Sequence, residues 1–210
     1  MRGIVAVLTM TLAGSIAMSD AGIIETMIAR STPENKRNTE GDIIVLRDGT
    51  LLCAWSDFYG GSGDDSKARI SAAKSTDGGR TWGERFTLQE NIGMQNVMSV
   101  SFLRLQSGEI LFFFLVKHSP QDLDVFVRRS TDEGQTWSDF TLVNHDDGYY
   151  VMNNARVVQL STGRILCPTS FVGRVWTNEP FRNVVYYSDD EGRTWARGKG
   201  IVECPKRGAM

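Results

Sequence analysis

An all-β propeller is the fold this sequence predicts, and two repeated motifs predict it. The first is an octapeptide of pattern Ser-x-Asp-x-Gly-x-Thr-Trp at residues 75–82, 130–137 and 188–195, spaced 55 and 58 residues apart, with all five defining positions kept in every copy. The second keeps the same step: at residues 46–52, 105–111 and 160–166, apolar runs flank a short turn containing Gly49, Gly108 or Gly163. Self-similarity at a fixed period marks a repeat architecture, and apolar runs either side of a glycine turn are a hairpin signal. Each unit therefore reads as strand, tight turn, strand, longer loop, strand, octapeptide turn, strand. Four antiparallel strands in a unit of roughly 57 residues describe a propeller blade.

Taken in order, residues 1–19 read as a signal peptide. Arg2 gives a positive start, residues 4–17 are mostly apolar, and Ser15 and Ala17 suit cleavage before Met18, with frames through Ser19 or Ala21 also open. The stretch is too short and too polar for a membrane-spanning helix, and no other segment could cross a bilayer. A secreted or periplasmic, extracytoplasmic location follows as the expectation. The propeller then occupies residues 20–210, in units of about 37–95, 96–150 and 151–210. First strands are expected to begin around Arg37, Asn96 and Met152, and third strands at residues 68–73, 124–129 and 183–187. Almost no helix is expected after residue 20.

The octapeptide has a turn-forming logic. A short Asp side chain accepts hydrogen bonds from backbone N–H groups further along, and glycine supplies the positive φ such a turn needs. Thr is expected to start the outgoing strand and Trp to bury its ring beneath the turn. Asp77, Asp132 and Asp190 are thus read as turn-locking carboxylates, not catalytic ones. Cys53 and Cys167 each lie four residues past a turn glycine, where the middle unit has Phe112. Positions equivalent in the first and third units are too far apart to pair. Both are read as small buried hydrophobes, and Cys204 is unassigned.

These octapeptides, coupled to their upstream hairpins, resemble the Asp boxes (bacterial neuraminidase repeats) of the sialidase superfamily, over about residues 37–210. The resemblance implies a six-bladed propeller of sialidase type, of which this chain carries about the first three blades. It also implies an exo-acting glycoside hydrolase that releases terminal sialic acid or a related acidic sugar from glycoconjugates. In that family a tyrosine activated by a glutamate is the nucleophile, and three arginines clamp the sialate carboxylate. Tyr149, Tyr150, Tyr186 and Tyr187 do not match the nucleophile's position, which is expected with two of the arginines beyond Met210. Asp boxes also occur in non-catalytic propellers that bind glycans or proteins, which is the alternative reading. An enzyme acting on another uronic or deoxy sugar is a third.

Propeller ligands bind where the first strands converge on the axis. Polar residues gather there: Arg37 and Glu40 in the first unit, Asn96 in the second, Asn153, Asn154 and Arg156 in the third. Arginine forks suit a carboxylate and amides suit sugar hydroxyls, so these six are the candidate substrate-binding residues. Arg37 stands twelve residues before Gly49, near where the family places the arginine of its Arg-Ile-Pro motif, although Asn38-Thr39 replaces Ile-Pro and Glu40 follows. Asp64 and Asp65 lie eleven and ten residues before the first octapeptide, where the family carries its acid/base aspartate, and are the candidate catalytic residues. Adjacent carboxylates on a glycine-rich loop raise one another's pKa. One of them is expected within a side chain's reach of Arg37. Lys117 and His118 occupy the matching loop of the second unit, within reach of the same rim, with His118 read as a surface histidine.

Composition excludes other classes. The 210 residues are 41% hydrophobic and 23% charged with a net charge of −2, so no basic excess points to nucleic acid. Two histidines and three cysteines without a C-x-x-C pair argue against a metal centre. No cofactor is implied; the partners expected are sialylated or other acidic-sugar glycans.

Overall fold

The structure, a computed structural model, describes residues 25–203; the expected signal peptide and Cys204 lie outside the described residues. Those residues form fourteen strands and no helix. In the first unit β1 (Arg37–Val45), β2 (Leu51–Phe58), β3 (Ala68–Ser75) and β4 (Phe86–Gln89) make an antiparallel sheet in chain order. The second unit repeats this with β5 (Asn96–Arg104), β6 (Ile110–Ser119), β7 (Asp122–Ser130) and the short β8 (Thr141–Leu142). The third has β9 (Tyr149–Val151), β10 (Val158–Gln159), β11 (Ile165–Val172), β12 (Arg182–Ser188), β13 (Ala196–Arg197) and β14 (Val202–Glu203).

The two repeated motifs form the two repeated turns. In each hairpin the leucine N–H bonds the carbonyl of the residue after the turn glycine, and the glycine N–H bonds back to the leucine carbonyl, at 2.8–2.9 Å in all three copies. Gly49, Gly108 and Gly163 take φ of 85°, 94° and 90° there, a region open to glycine at little cost. In the octapeptides the buried Ser75, Ser130 and Ser188 hydroxyls donate to the Asp carboxylates and accept the N–H of Gly79, Gly134 and Gly192. The carboxylates accept from both the N–H and the hydroxyl of Thr81, Thr136 and Thr194. The threonines therefore close the turn instead of opening the outgoing strand, which begins later, at Phe86, Thr141 and Ala196. The Trp rings rest against the turn glycines, fully buried at Trp195 and half-buried at Trp82 and Trp137.

The core lies between units because β6 is buried on both faces. Ile110, Phe112, Phe114 and Val116 pack against Ile44, Leu52 and Ile70 of the first unit. Leu111, Phe113 and Leu115 face the third, against Ile165, Val184 and Trp195. That division follows the two-residue period of a strand. Cys53 and Cys167 are free and buried, as expected.

The third unit departs from expectation. Residues 152–157 form no strand, so its first strand is split into β9 and β10. Their backbone groups bond to the neighbouring unit instead: Ala155 N–H to the Val100 carbonyl, and the Arg156 and Val157 N–H groups to the Ser101 hydroxyl. The second and third units also share one ten-stranded sheet, through a parallel bridge between Leu123 and Tyr149, instead of forming two separate four-stranded sheets. Neither sheet closes into a ring.

Candidate active site

Each inner strand begins at the rim of a small cavity of about 180 Å³, which Glu40, Asp64, Ser99, Tyr149, Asn153 and Phe181 help to line. Twelve residues before the hairpin glycines stand Arg37, Asn96 and Val151, so one register delivers a different side chain from each unit. Three residues further on, β1 and β5 carry the same irregularity. Their registers slip between Thr39 and Asp42 and between Met98 and Val100, with Glu40 at φ 54° and Ser99 at φ 58°. A bulge re-aims a side chain that regular pleating would turn elsewhere. Here it turns the Glu40 carboxylate onto Arg37 and Ser56. This device was not legible in the sequence, since neither residue is a glycine.

Arg37 is the hub. Its guanidinium stacks 4.0 Å over the Phe58 ring, Nη1 donates 2.9 Å to the Ser62 carbonyl, and Nη2 lies 2.8 Å from the Asp64 carboxylate and 3.5 Å from Glu40. The expected approach of an acidic-loop carboxylate to Arg37 is made by Asp64. Asp65 is exposed and turns its carboxylate back toward Gly63. Glu40 accepts a 2.9 Å bond from the Ser56 hydroxyl. Burial raises its pKa against the opposing pull of Ser56 and Arg37. Asp64 stays 60% exposed, so an exposed carboxylate and a half-buried one share a single guanidinium.

The second unit supports the loop. Asn96, wholly buried, donates its amide to the Asp64 and Ser66 carbonyls at 2.9 and 2.8 Å. Lys117 ends no loop; it is a fully buried residue of β6 whose ammonium donates 3.0 Å to the same Asp64 carbonyl. His118 is half-buried and accepts the Met94 N–H. In the third unit Asn154, in the segment between β9 and β10, donates its amide to the Gly41 carbonyl of β1. Arg156 is exposed and, with Asn153, lines a separate cavity of about 700 Å³ on the open face of β11 and β12. Arg37, Glu40, Asp64, Asn96 and Asn153 are thus gathered at one place, while Asp65, Asn154 and Arg156 are not. Tyr149 forms part of the cavity wall, with the Lys117 ammonium 5.3 Å from its ring centre; both residues had been noticed in the sequence, and neither was assigned to the site.

The family model for a BNR repeat-like domain matches residues 49–206. The chain is 28% identical over 192 residues to a sialidase of Paraclostridium sordellii, an overlap of 76% of this chain and 45% of that one. Its fold is similar to that of Trypanosoma rangeli sialidase in complex with the inhibitor DANA, with a TM-score of 0.62 at 16% identity, covering 79% of this chain and 31% of that one. It is likewise similar to a Dyadobacter fermentans protein of unknown function, with a TM-score of 0.67 at 20% identity over 80% and 55% of the two chains. The chain spans less than half the length of the curated relatives it matches.

Proposed function

Since the chain belongs to the family of BNR repeat-like domains of the sialidase superfamily, we propose that its full-length protein is an exo-acting glycoside hydrolase of sialidase type, working outside the cytoplasm on a terminal acidic sugar. The observation that carries this reading is the 2.8 Å pair between Arg37 and Asp64 at the cavity mouth. It sets an exposed acid beside a cation fit for a sugar carboxylate. Asp64 is the general acid that protonates the departing glycosidic oxygen, and its exposure lets an arriving substrate draw it off Arg37 into that role. Arg37 then exchanges one carboxylate for another.

Turnover of a fluorogenic sialoside by the full-length protein tests the activity. Asp64→Asn should lower kcat by a factor on the order of 10²–10⁴ on an alkyl-linked sialoside. The loss should be smaller on an aryl-linked one, whose leaving group needs less protonation. Asp65→Asn should leave both unchanged. Equal rates for wild type and Asp64→Asn would remove the acid from Asp64.

The Glu40 carboxylate favours a second reading. It already sits against Arg37, and a second carboxylate arriving there meets like charge. A sugar offering hydroxyls at this place would satisfy Glu40 and Arg37 together, so deoxy sugars belong in the same substrate panel.

A further inference from the structure

We infer that Lys117 is a positioning residue: with Asn96 it holds the acid-bearing loop closed over the cavity, and Trp176 of the third unit seals that clamp. The inference rests on the reading of Asp64 as the acid.

The repeats themselves single Lys117 out. Nine residues past the hairpin glycines stand Phe58, Lys117 and Val172, and all three are essentially inaccessible to solvent. Packing at this position is met by an apolar side chain in two units out of three. A lysine there buries a charge, which is costly unless partners compensate. Among the described residues no carboxylate forms an ion pair with it. Its hydrogen-bond acceptor is the backbone carbonyl of Asp64 at 3.0 Å. Burial accordingly lowers its pKa, while the negative charges of Asp64, Asp65 and Glu40 act in the other direction. The lysine is thus spent on holding one carbonyl, and that carbonyl belongs to the candidate acid.

Asn96 bonds the same carbonyl from β5 and also takes Ser66, so two donors from adjacent strands fix both sides of the loop tip. The remaining faces of the ammonium are closed by aromatic rings: Tyr149 at 5.3 Å and Trp176 at 5.2 Å from the ring centres, distances at which a cation is attracted to a π face. Trp176 is 60% exposed and sits at φ 63°. A bulky residue in that region is strained, and its cation–π contact is the interaction the structure offers in return. The loop carrying Trp176 joins β11 to β12, so the third unit caps a clamp that the second unit closes on the first.

The test is hydrogen exchange on the full chain, read at residues 59–67, where the Tyr59 and Gly60 N–H groups bond the Lys67 carbonyl and the Ser66 N–H bonds Gly63. Lys117→Met supplies the apolar residue that the other units already accommodate. Exchange across 59–67 should rise by about tenfold or more while the urea midpoint stays near that of wild type. Trp176→Ala, on the exposed rim, should raise exchange in the same segment by a smaller factor and serves if Lys117→Met fails to fold. Loop exchange within twofold of wild type in a folded Lys117→Met, or in Trp176→Ala where that alone folds, overturns the inference. In the full-length protein, Lys117→Met should lower kcat far more than it changes KM and add nothing in an Asp64→Asn background; additive losses overturn the link to Asp64. Because exchange is read without substrate, absent turnover in wild type would sink the proposed hydrolase and leave the clamp standing.

Discussion

Carboxylates divide into two populations whose titrations pull stability in opposite directions. Asp77, Asp132 and Asp190 are held down to about 2 from the ordinary 3.8 by the bonds they accept within the octapeptide turn, chiefly from Thr81, Thr136 and Thr194. A depressed folded pKa contributes stability that is complete above the unfolded value and lost as pH falls through the folded one. The loss therefore runs from about pH 4 down to about 2. Glu40, Asp42 and Asp124 are raised, each mainly by burial. Their contribution is complete below the unfolded value and lost as pH rises through the raised one. Stability is therefore expected to gain slightly as pH falls from neutrality into the range of these raised carboxylates and to be lost as pH falls from about 4 toward 2. Urea midpoints across pH 2–7 check this. Replacing the three box aspartates by asparagine should flatten the acid limb, and an unchanged limb would refute the assignment. The box carboxylates were readable as turn locks from spacing alone, because every partner lies within four residues. Glu40 and Lys117 were not readable in this way, because their roles depend on bulge geometry and on residues dozens of positions away.

Strands show the same division between local and distant causes. The hairpins, the octapeptide turns and the third strands fell where the repeats put them, since each is determined by a short glycine-containing pattern. The first strand of the third unit did not. Its expected position was carried over from the other two by alignment, yet residues 154–157 bond to Gly41, Val100 and Ser101, an inter-unit contest that no local pattern reports. At the heart of the elements, β6 bears the greatest packing burden. Phe112 is fully buried, with the Phe102, Phe114 and Trp137 rings 5.0–5.5 Å away from it at Phe114, Phe102 and Trp137 alike. Phe112→Ala should cost about 3–5 kcal/mol through lost burial and a cavity between two units. The connection from β4 into β5 is equally confined: a Cβ on Gly93 would come within 2.5 Å of the Asn96 and Lys117 carbonyl oxygens, backbone atoms that cannot swing aside. Gly93→Ala should thus destabilise by about 1–3 kcal/mol and loosen the site with it. Chemical denaturation of both variants checks the pair, and a near-neutral Phe112→Ala would mean that the inter-unit core is not the main store of stability.

Across the whole molecule, units are stitched by charge as well as by core. Arg104 of the second unit forms a two-pronged pair with Glu133 at 2.7 and 2.8 Å, and the Arg47 N–H of the first unit reaches the same carboxylate. The open face of β11 and β12 carries the 700 Å³ cavity, whereas residues around Ile28 and Ala29 cover Cys53 and Trp55 on the face of the first unit. What this assembly brings to the site is one exposed carboxylate, one half-buried carboxylate and one arginine, around a cavity of about 180 Å³, below the usual size of roughly 300–1,000 Å³ for a ligand pocket. Tyr149 is the tyrosine at that cavity. Burial, with the negative charges of Asp64 and Glu40 adding to it, pushes its phenol above the ordinary value, the reverse of what activates a nucleophile. Acid, nucleophile and clamp must be held together for turnover, and among the described residues this site offers the proposed acid and one proposed clamp arginine. The 210-residue chain by itself is therefore expected to give no saturable turnover of a fluorogenic sialoside. Tyr149→Phe should leave that result, and the loop exchange pattern, unchanged. Saturable hydrolysis by the purified chain that disappears with Tyr149→Phe would show that the tyrosine is activated after all, and that the geometry around Lys117 rearranges when a sugar binds.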